Sequence, residues 1–122
     1  METLLAISAE NEKARLAVDM FCYRIVKYLG AYIAILGGAD AIIFSGGIGE
    51  NSPTIRNLII EKMAWYGLKI DSEANQRAIG LPVGTVQKIS ASTSNMACYV
   101  IASDENIFIA KEVQRILSPV ID

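Results

Sequence analysis

The chain has 122 residues, of which 52% are hydrophobic, and its 11 basic and 13 acidic side chains leave a formal net charge of −2. This length predicts one small domain with a sizeable core, and the weak negative charge argues against a nucleic-acid surface. No apolar run approaches the roughly 18 residues of a membrane span, and residues 1–15 lack the pattern of a secretory signal. We therefore expect a cytoplasmic chain without a membrane partner.

The sequence contains two cysteines, Cys22 and Cys98, and no histidine. Each cysteine lies among apolar residues, which predicts reduced core thiols of a cytosolic protein. Two cysteines without histidine make a zinc site improbable. Because the commonest general base is missing, chemistry must come from carboxylates, backbone amides, an oxygen-bound metal or another chain.

A long amphipathic helix is predicted over residues 9–36, where apolar residues recur at helical spacing. These residues are Ala14, Ala17, Val18, Phe21, Ile25, Leu29, Tyr32, Ile33 and Leu36. Gly30 interrupts the pattern, and we expect it to mark a close packing point. Gly37 and Gly38 then offer a left-handed stop for the helix.

The next segment, from residue 41, reads "AIIFSGGIGENSP". Residues 41–45 form a continuous apolar run of strand length, which predicts a strand buried on both faces. Its glycines predict a loop, and Pro53 is well placed as the first residue of a second helix, with Ser52 or Asn51 as its cap. The apolar face of that helix holds Ile55, Leu58, Ile59 and Met63, and Gly67 ends it.

The middle of the chain carries weaker signals. "LKI" at residues 68–70 predicts a short strand, and residues 71–78 predict a short helix. Gly80, Pro82 and Gly84 mark a loop, after which "TVQKIS" alternates like a half-exposed strand.

The last third ends in a strand and a helix. "STSN" at residues 92–95 is typical of a turn, and "MACYVIAS" at residues 96–103 predicts a second buried strand. Ser103 or Asp104 is expected to cap a final helix with an apolar stripe of Ile107, Ala110, Val113 and Leu117. The order of elements predicts an α/β fold of mostly parallel buried strands flanked by helices.

The glycine cluster between the first strand and the second helix has several interpretations. Ligands of α/β sheets bind at the carboxyl ends of strands, and a following helix offers free N–H groups to an anion. The dinucleotide fingerprint fits poorly, since the cluster ends in Ser52 where a glycine is required. The P-loop fails, since the cluster has no lysine. A tight structural turn without a ligand remains open on the residues alone.

The stretch "FSGGIGENSPTIR" resembles the adenosine-contacting loop of the acetate kinase family, whose members phosphorylate short-chain carboxylates. The likeness extends over nearly the whole chain. It includes the helix before the loop, "GLKIDSEAN" after it, and "ACYVIASDENIFIAKEV" at the end. The resemblance implies part of an actin-like ATPase, or ribonuclease H-like, lobe that binds ATP or ADP with Mg²⁺.

The resemblance also carries candidate residues onto this chain. The ATP-binding loop of the family falls on Gly47, Ile48, Gly49, Glu50 and Asn51. Glu105 falls on the glutamate that supports magnesium, which agrees with the preference of Mg²⁺ for carboxylates and water. Helix-start electrostatics is the alternative for both glutamates. For Glu50 we favour it over a catalytic role.

The resemblance further implies that the chain, residues 1–122, is one incomplete domain, the C-terminal nucleotide-binding lobe of an acetate or propionate kinase. The family's carboxylate-binding and catalytic groups lie upstream, so we expect no catalytic residue here and no carboxylate binding without that part. The family also implies a homodimer. The alternative is a non-catalytic dimerisation or interaction module, or a subunit of a split kinase.

Overall fold

The computed structural model describes residues 1–117, apart from the side chains of residues 105 and 106. Six α-helices, three strands and one 3₁₀ turn follow one another in these residues. The elements are α1 Glu2–Ile7, α2 Glu12–Leu36, β1 Ala41–Phe44, α3 Gly46–Asn51, α4 Pro53–Lys62, the 3₁₀ turn Ala64–Tyr66, α5 Ser72–Arg77, β2 Val86–Lys88, β3 Ala97–Ile101 and α6 Glu105–Leu117.

The sheet has the strand order β1-β3-β2. β1 and β3 run parallel, with Ala41 opposite Ala97, whereas β2 runs antiparallel to β3. The sheet is therefore mixed where the sequence predicts mostly parallel strands. "LKI" forms only a single bridge, between Ile70 and Ser90, rather than a strand.

The first strand differs from its prediction, because β1 is buried on one face only. Ile42 and Phe44 point into the core, whereas the side chain of Ile43 is 58% exposed. A continuous apolar run suggests burial on both faces, but β1 lies at the edge of the described sheet and its outer face is uncovered. The central strand β3 buries Cys98 and Val100 completely.

The long helix α2 begins later than predicted and ends as predicted. The Asn11 side chain accepts a hydrogen bond from the N–H of Ala14, so Asn11 is the N-cap. Gly37 adopts a φ of 71°, and the N–H of Gly38 donates to the carbonyl of Ile33, which forms a left-handed stop. Gly30 contradicts its prediction, since a Cβ there would meet no atom within 4 Å.

The second helix begins as predicted but ends earlier, at Lys62 rather than at Gly67. Pro53 is the first residue of α4, and the Ser52 hydroxyl accepts a hydrogen bond from the N–H of Ile55. Ile55, Ile59 and Ile60 are buried. The chain continues through the 3₁₀ turn before Gly67 reverses it with a φ of 86°.

The core lies between α2, α4 and the inner face of the sheet. Cys22 and Cys98 are both free and fully buried there, which confirms their prediction as core thiols. Burial raises the pKa of Cys98 to about 11. Both thiols are therefore protonated side chains that fill space, not nucleophiles.

The final helix does not pack as its apolar stripe predicts. The Asp104 carboxylate accepts a hydrogen bond from the N–H of Ile107 and so acts as the cap. Along α6 the stripe residues Ile107, Ala110, Val113 and Leu117 are all exposed. Among the helices of the described residues, none has the length and apolar character that a membrane crossing requires.

Candidate functional site

The carboxyl ends of the two parallel strands meet at one edge of the sheet. Ser45 follows β1 directly, and Ser103 lies two residues beyond β3. Their hydroxyl groups are hydrogen-bonded, with 3.0 Å between the two Oγ atoms. This edge is where α/β sheets place ligands, and α3 lies across it.

The glycine cluster folds into α3, a short helix rather than the predicted loop. Gly46 enters this helix with a φ of 72°, a conformation that favours glycine. At Gly49 a Cβ would lie 3.3 Å from the backbone carbonyl carbon of Phe44, so a side chain there would press on β1. At Gly47 a Cβ would meet no atom within 4 Å. Backbone conformation accounts for Gly46 and packing for Gly49, whereas neither explains Gly47.

The carboxylate of Glu50 joins the two strand ends. Its Oε1 atom accepts hydrogen bonds from the backbone N–H of Gly46 at 2.8 Å and of Ser103 at 3.0 Å. The Ser103 hydroxyl donates to the same atom at 2.9 Å, and the Ser45 hydroxyl at 3.3 Å. These bonds lower the pKa of Glu50, with the Ser103 N–H as the main cause. Glu50 therefore acts as an internal anion.

This contact changes the prediction that the amides after β1 are free for a ligand anion. The N–H of Gly46, the first residue of α3, is already occupied by the Glu50 carboxylate. Contact with that first amide agrees with the helix-start interpretation of Glu50. A negatively charged phosphate is disfavoured at this position, because it would lie against a carboxylate.

The side chain of Asn51 links α3 to a distant loop. Its Nδ2 donates to the carbonyl of Gly47 at 3.1 Å, and its Oδ1 accepts from the N–H of Gly80 at 3.2 Å. The loop containing Gly80 follows α5. The candidate nucleotide-binding residue Asn51 therefore connects α3 to the loop that follows α5.

Arg56 is the functional residue that the sequence reasoning missed. Its guanidinium is fully buried on α4 and donates five hydrogen bonds, to the carbonyls of Gly49, Glu50, Asn75 and Ala78 and to the Asn75 side chain. Burial lowers the pKa of Arg56 to about 10, so it stays charged at neutral pH. Its spacing from the buried Ile59 and Ile60, three and four residues on, was the signal that could have revealed it.

Two cavities flank α3, and both are lined by Gly47 and Ile48. The apolar cavity, of about 450 Å³, is also lined by Phe21, Ile25, Ile43, Phe44, Ser45, Gly46, Gly49, Ile55 and Ile59. The mixed cavity, of about 520 Å³, is also lined by Met1, Glu2, Leu5, Asn51, Ser52, Pro53, Thr54 and Ile79. Of these two cavities in the described residues, the mixed one is lined by both ends of the candidate site, Gly47 and Asn51.

The candidate magnesium residue, Glu105, is the first residue of α6. Its side chain lies outside the described part of the structure, so its position relative to Glu50 is not described. Within the described residues, no group of three or more His, Cys, Asp and Glu side chains is arranged to hold a metal ion.

The sequence profile of the acetokinase family matches residues 1–111. The chain belongs to this family. It is 46% identical over 106 residues to the acetate kinase of Solibacter usitatus, an alignment that covers 87% of this chain and 25% of the relative. Membership confirms the family resemblance of the glycine cluster and of the elements around it.

Solved structures of the acetokinase family show the same fold. The acetate kinase of Porphyromonas gingivalis aligns with a TM-score of 0.72 at 39% identity, covering 93% of this chain and 27% of that one. A propionate kinase from Francisella tularensis aligns with a TM-score of 0.76 at 32% identity, covering 91% and 27%. The predicted partial actin-like ATPase lobe is confirmed, and the chain spans about a quarter of the length of its relatives.

Proposed function

We propose that this chain supplies the adenosine-binding part of a kinase that transfers a phosphoryl group between ATP and a short-chain carboxylate. Its relatives are named acetate kinase and propionate kinase, which makes acetate and propionate the first carboxylates to test. Such an enzyme acts chiefly by positioning and by neutralising phosphate charge. The part that binds the carboxylate lies in the remaining length of the relatives.

The observation that carries this proposal is Gly47. A glycine inside a helix is less stable than alanine by about 0.5–1 kcal/mol. Neither a positive φ nor a close neighbour among the described residues requires it. A backbone without a side chain that lines two cavities is suited to close approach by a flat ligand such as a base or ribose.

The mixed cavity is the proposed place for adenosine. Of the two cavities described at α3, it is the one lined by Gly47, Ile48 and Asn51 together, and it combines apolar with polar walls. The Glu50 carboxylate would repel the phosphates of ATP. Its position therefore favours the uncharged adenosine end of the nucleotide near α3. Glu105 is the proposed support for Mg²⁺, which when bound would neutralise phosphate charge.

The chain by itself is proposed to be inactive. Phosphoryl transfer needs cationic groups around the transferred phosphate and a site for the acceptor. The fully buried Arg56 has all its donors engaged within the fold and does not serve that purpose. No catalytic residue is therefore assigned to this chain.

A second candidate function is a non-catalytic interaction module or a subunit of a split kinase, most simply a homodimer. The observation that favours it is the exposed face of α2, where Met20, Tyr23 and Ile35 are 63%, 66% and 79% exposed. The two functions are compatible if the dimer assembles through this face.

The experiment that tests the kinase proposal is a chimaera. The 106 aligned residues of the Solibacter usitatus acetate kinase are replaced by those of this chain, and ATP-dependent phosphorylation of acetate and propionate is assayed with Mg²⁺. We expect turnover by the chimaera, its loss on Glu105→Ala, and none from the isolated chain. A chimaera that unfolds cooperatively but has no turnover with either carboxylate would contradict the proposal.

A further inference from the structure

Arg56 joins two parts of the fold, and the partners in the second part lie 19 to 22 residues after Arg56 in the sequence. Its Nη1 donates to the carbonyls of Gly49 and Glu50 at 2.8 and 2.9 Å. Its Nη2 donates to the carbonyls of Asn75 and Ala78 at 2.7 and 2.9 Å. The guanidinium is therefore a bridge between the end of α3 and the end of α5.

Residues at or next to both ends line the mixed cavity. One wall is α3, with Gly47 and Asn51. The other includes Ile79, the residue next to Ala78. The N–H of Gly80 donates a hydrogen bond to the Asn51 side chain, which is a second connection between α3 and the segment after α5. The distance between the walls is thus set by hydrogen bonds that converge on Arg56 and Asn51.

The chemistry of the bridge requires arginine. A buried cation without a carboxylate partner is unfavourable unless its donors are satisfied, and the five partners of Arg56 are neutral carbonyl and amide oxygens. Two of its partners are among the last residues of α3, where carbonyl groups favour a positive charge. A lysine has three donors on one atom and cannot span both walls as a planar fork does.

We propose that Arg56 is a positioning residue that fixes the width of the mixed cavity and thereby its fit to adenosine. The identity of the ligand, adenosine, rests on the proposed function. The connection that Arg56 makes between α3 and the end of α5 does not depend on it. Arg56 acts through α3 and the Ile79 turn and does not touch the ligand.

The test uses the 122-residue chain and adenosine as the probe, followed by amide chemical shifts, at a temperature where each variant is fully folded. Arg56→Lys keeps the charge but not the fork, and Arg24→Lys, on the exposed surface of α2, is the matched control. We expect Arg56→Lys to weaken adenosine binding by about tenfold and Arg24→Lys to leave it unchanged. A purely structural Arg56 would lower stability but leave the affinity of the folded chain unchanged, which would overturn the proposal.

A second measurement separates this inference from the proposed function. Hydrogen exchange of the amides of α3 and of Gly80 should be faster in Arg56→Lys than in Arg24→Lys, whether or not adenosine binds. If the unsubstituted chain binds no adenosine, the proposed ligand is wrong. If hydrogen exchange in Arg56→Lys also equals that in Arg24→Lys, the proposed connection between α3 and the segment after α5 is wrong as well. Should Arg56→Lys not fold, Asn75→Ala removes one partner of the bridge and is expected to show the same effects at smaller size.

Discussion

Glu50 shows how one carboxylate can organise a strand edge. It accepts hydrogen bonds from both strand ends and carries a lowered pKa because of them. Resemblance places this residue in a nucleotide-binding loop, whereas its contacts assign it to holding that loop in position. The position of Glu50 beside Ser103 also links α3 to the start of α6, where Glu105 lies.

The first prediction concerns acid stability. Because the pKa of Glu50 is lowered from 4.5 on folding, its ionised form stabilises the fold above that ordinary value. This contribution is lost as pH falls through the lowered pKa. Urea unfolding followed through this acid range should therefore show less loss of stability in Glu50→Gln than in the unsubstituted chain. Glu10→Gln, at an exposed position before α2, is the control and should behave like the unsubstituted chain.

The second prediction concerns the removal of the Glu50 carboxylate, the acceptor of these hydrogen bonds. Glu50→Ala should lower the free energy of unfolding at neutral pH by about 1 kcal/mol, because its bonds are charge-assisted but the carboxylate is half-exposed to water. Glu50→Gln keeps an acceptor oxygen and should lose less. Equal stability of the alanine and glutamine variants in urea would show that these bonds do not hold the strand ends together.

Two helical glycines give a matched comparison at the level of elements. Gly30 in α2 and Gly47 in α3 both face open space and both have a negative φ. Alanine at either position should raise the free energy of unfolding by about 0.5–1 kcal/mol. Only Gly47→Ala should weaken adenosine binding, since only Gly47 lines the two cavities. Equal affinity in both variants would remove the main support for a ligand at α3.

The sequence predicted those elements whose signals are local. The short helix predicted at residues 71–78 forms as α5, Pro53 opens α4, and Gly37 ends α2. The predictions that Gly30 marks a close packing point and that the strand of Ile43 is buried on both faces were wrong. Residue spacing along a chain does not show which elements pack against a residue in the folded protein. The Glu50–Ser103 contact spans 53 residues, and no local pattern predicts such a contact.

In the candidate site, too, the local motif was predicted from the sequence and a long-range contact was not. The family motif identified residues 47–51 as one segment, and the structure folds them into α3. The buried Arg56 was not predicted, since a charged residue on a helix is usually exposed. Its burial follows from carbonyl groups that α3 and α5 supply only after the chain has folded.

The described part of the molecule exposes many large apolar side chains, and clusters of such side chains often mark protein interfaces. Met20, Tyr23, Tyr28 and Ile35 are exposed on α2, and Ile43 is exposed on the edge strand β1. The unpaired edge of β1 adds hydrogen-bonding groups that favour another strand.

The prediction at this scale is that the purified chain is a dimer or larger. Sedimentation at micromolar concentration should show a mass of at least twice 13.2 kDa. Tyr23→Lys, on the exposed face of α2, should shift the population towards monomer, whereas Lys111→Gln on α6 should not. A single monomeric species with sharp cooperative unfolding would contradict this prediction.

The proposed adenine-nucleotide site at α3 can be examined by titrating the chain with ATP and following the amide chemical shifts. We expect weak affinity, because the chain spans only about a quarter of the length of its relatives. We expect the largest shifts on residues 47–51, with smaller shifts at Ile79, which also lines the mixed cavity, and at Gly80, which bonds to Asn51. Shifts centred on the turn at residues 92–95, with residues 47–51 unchanged, would contradict it.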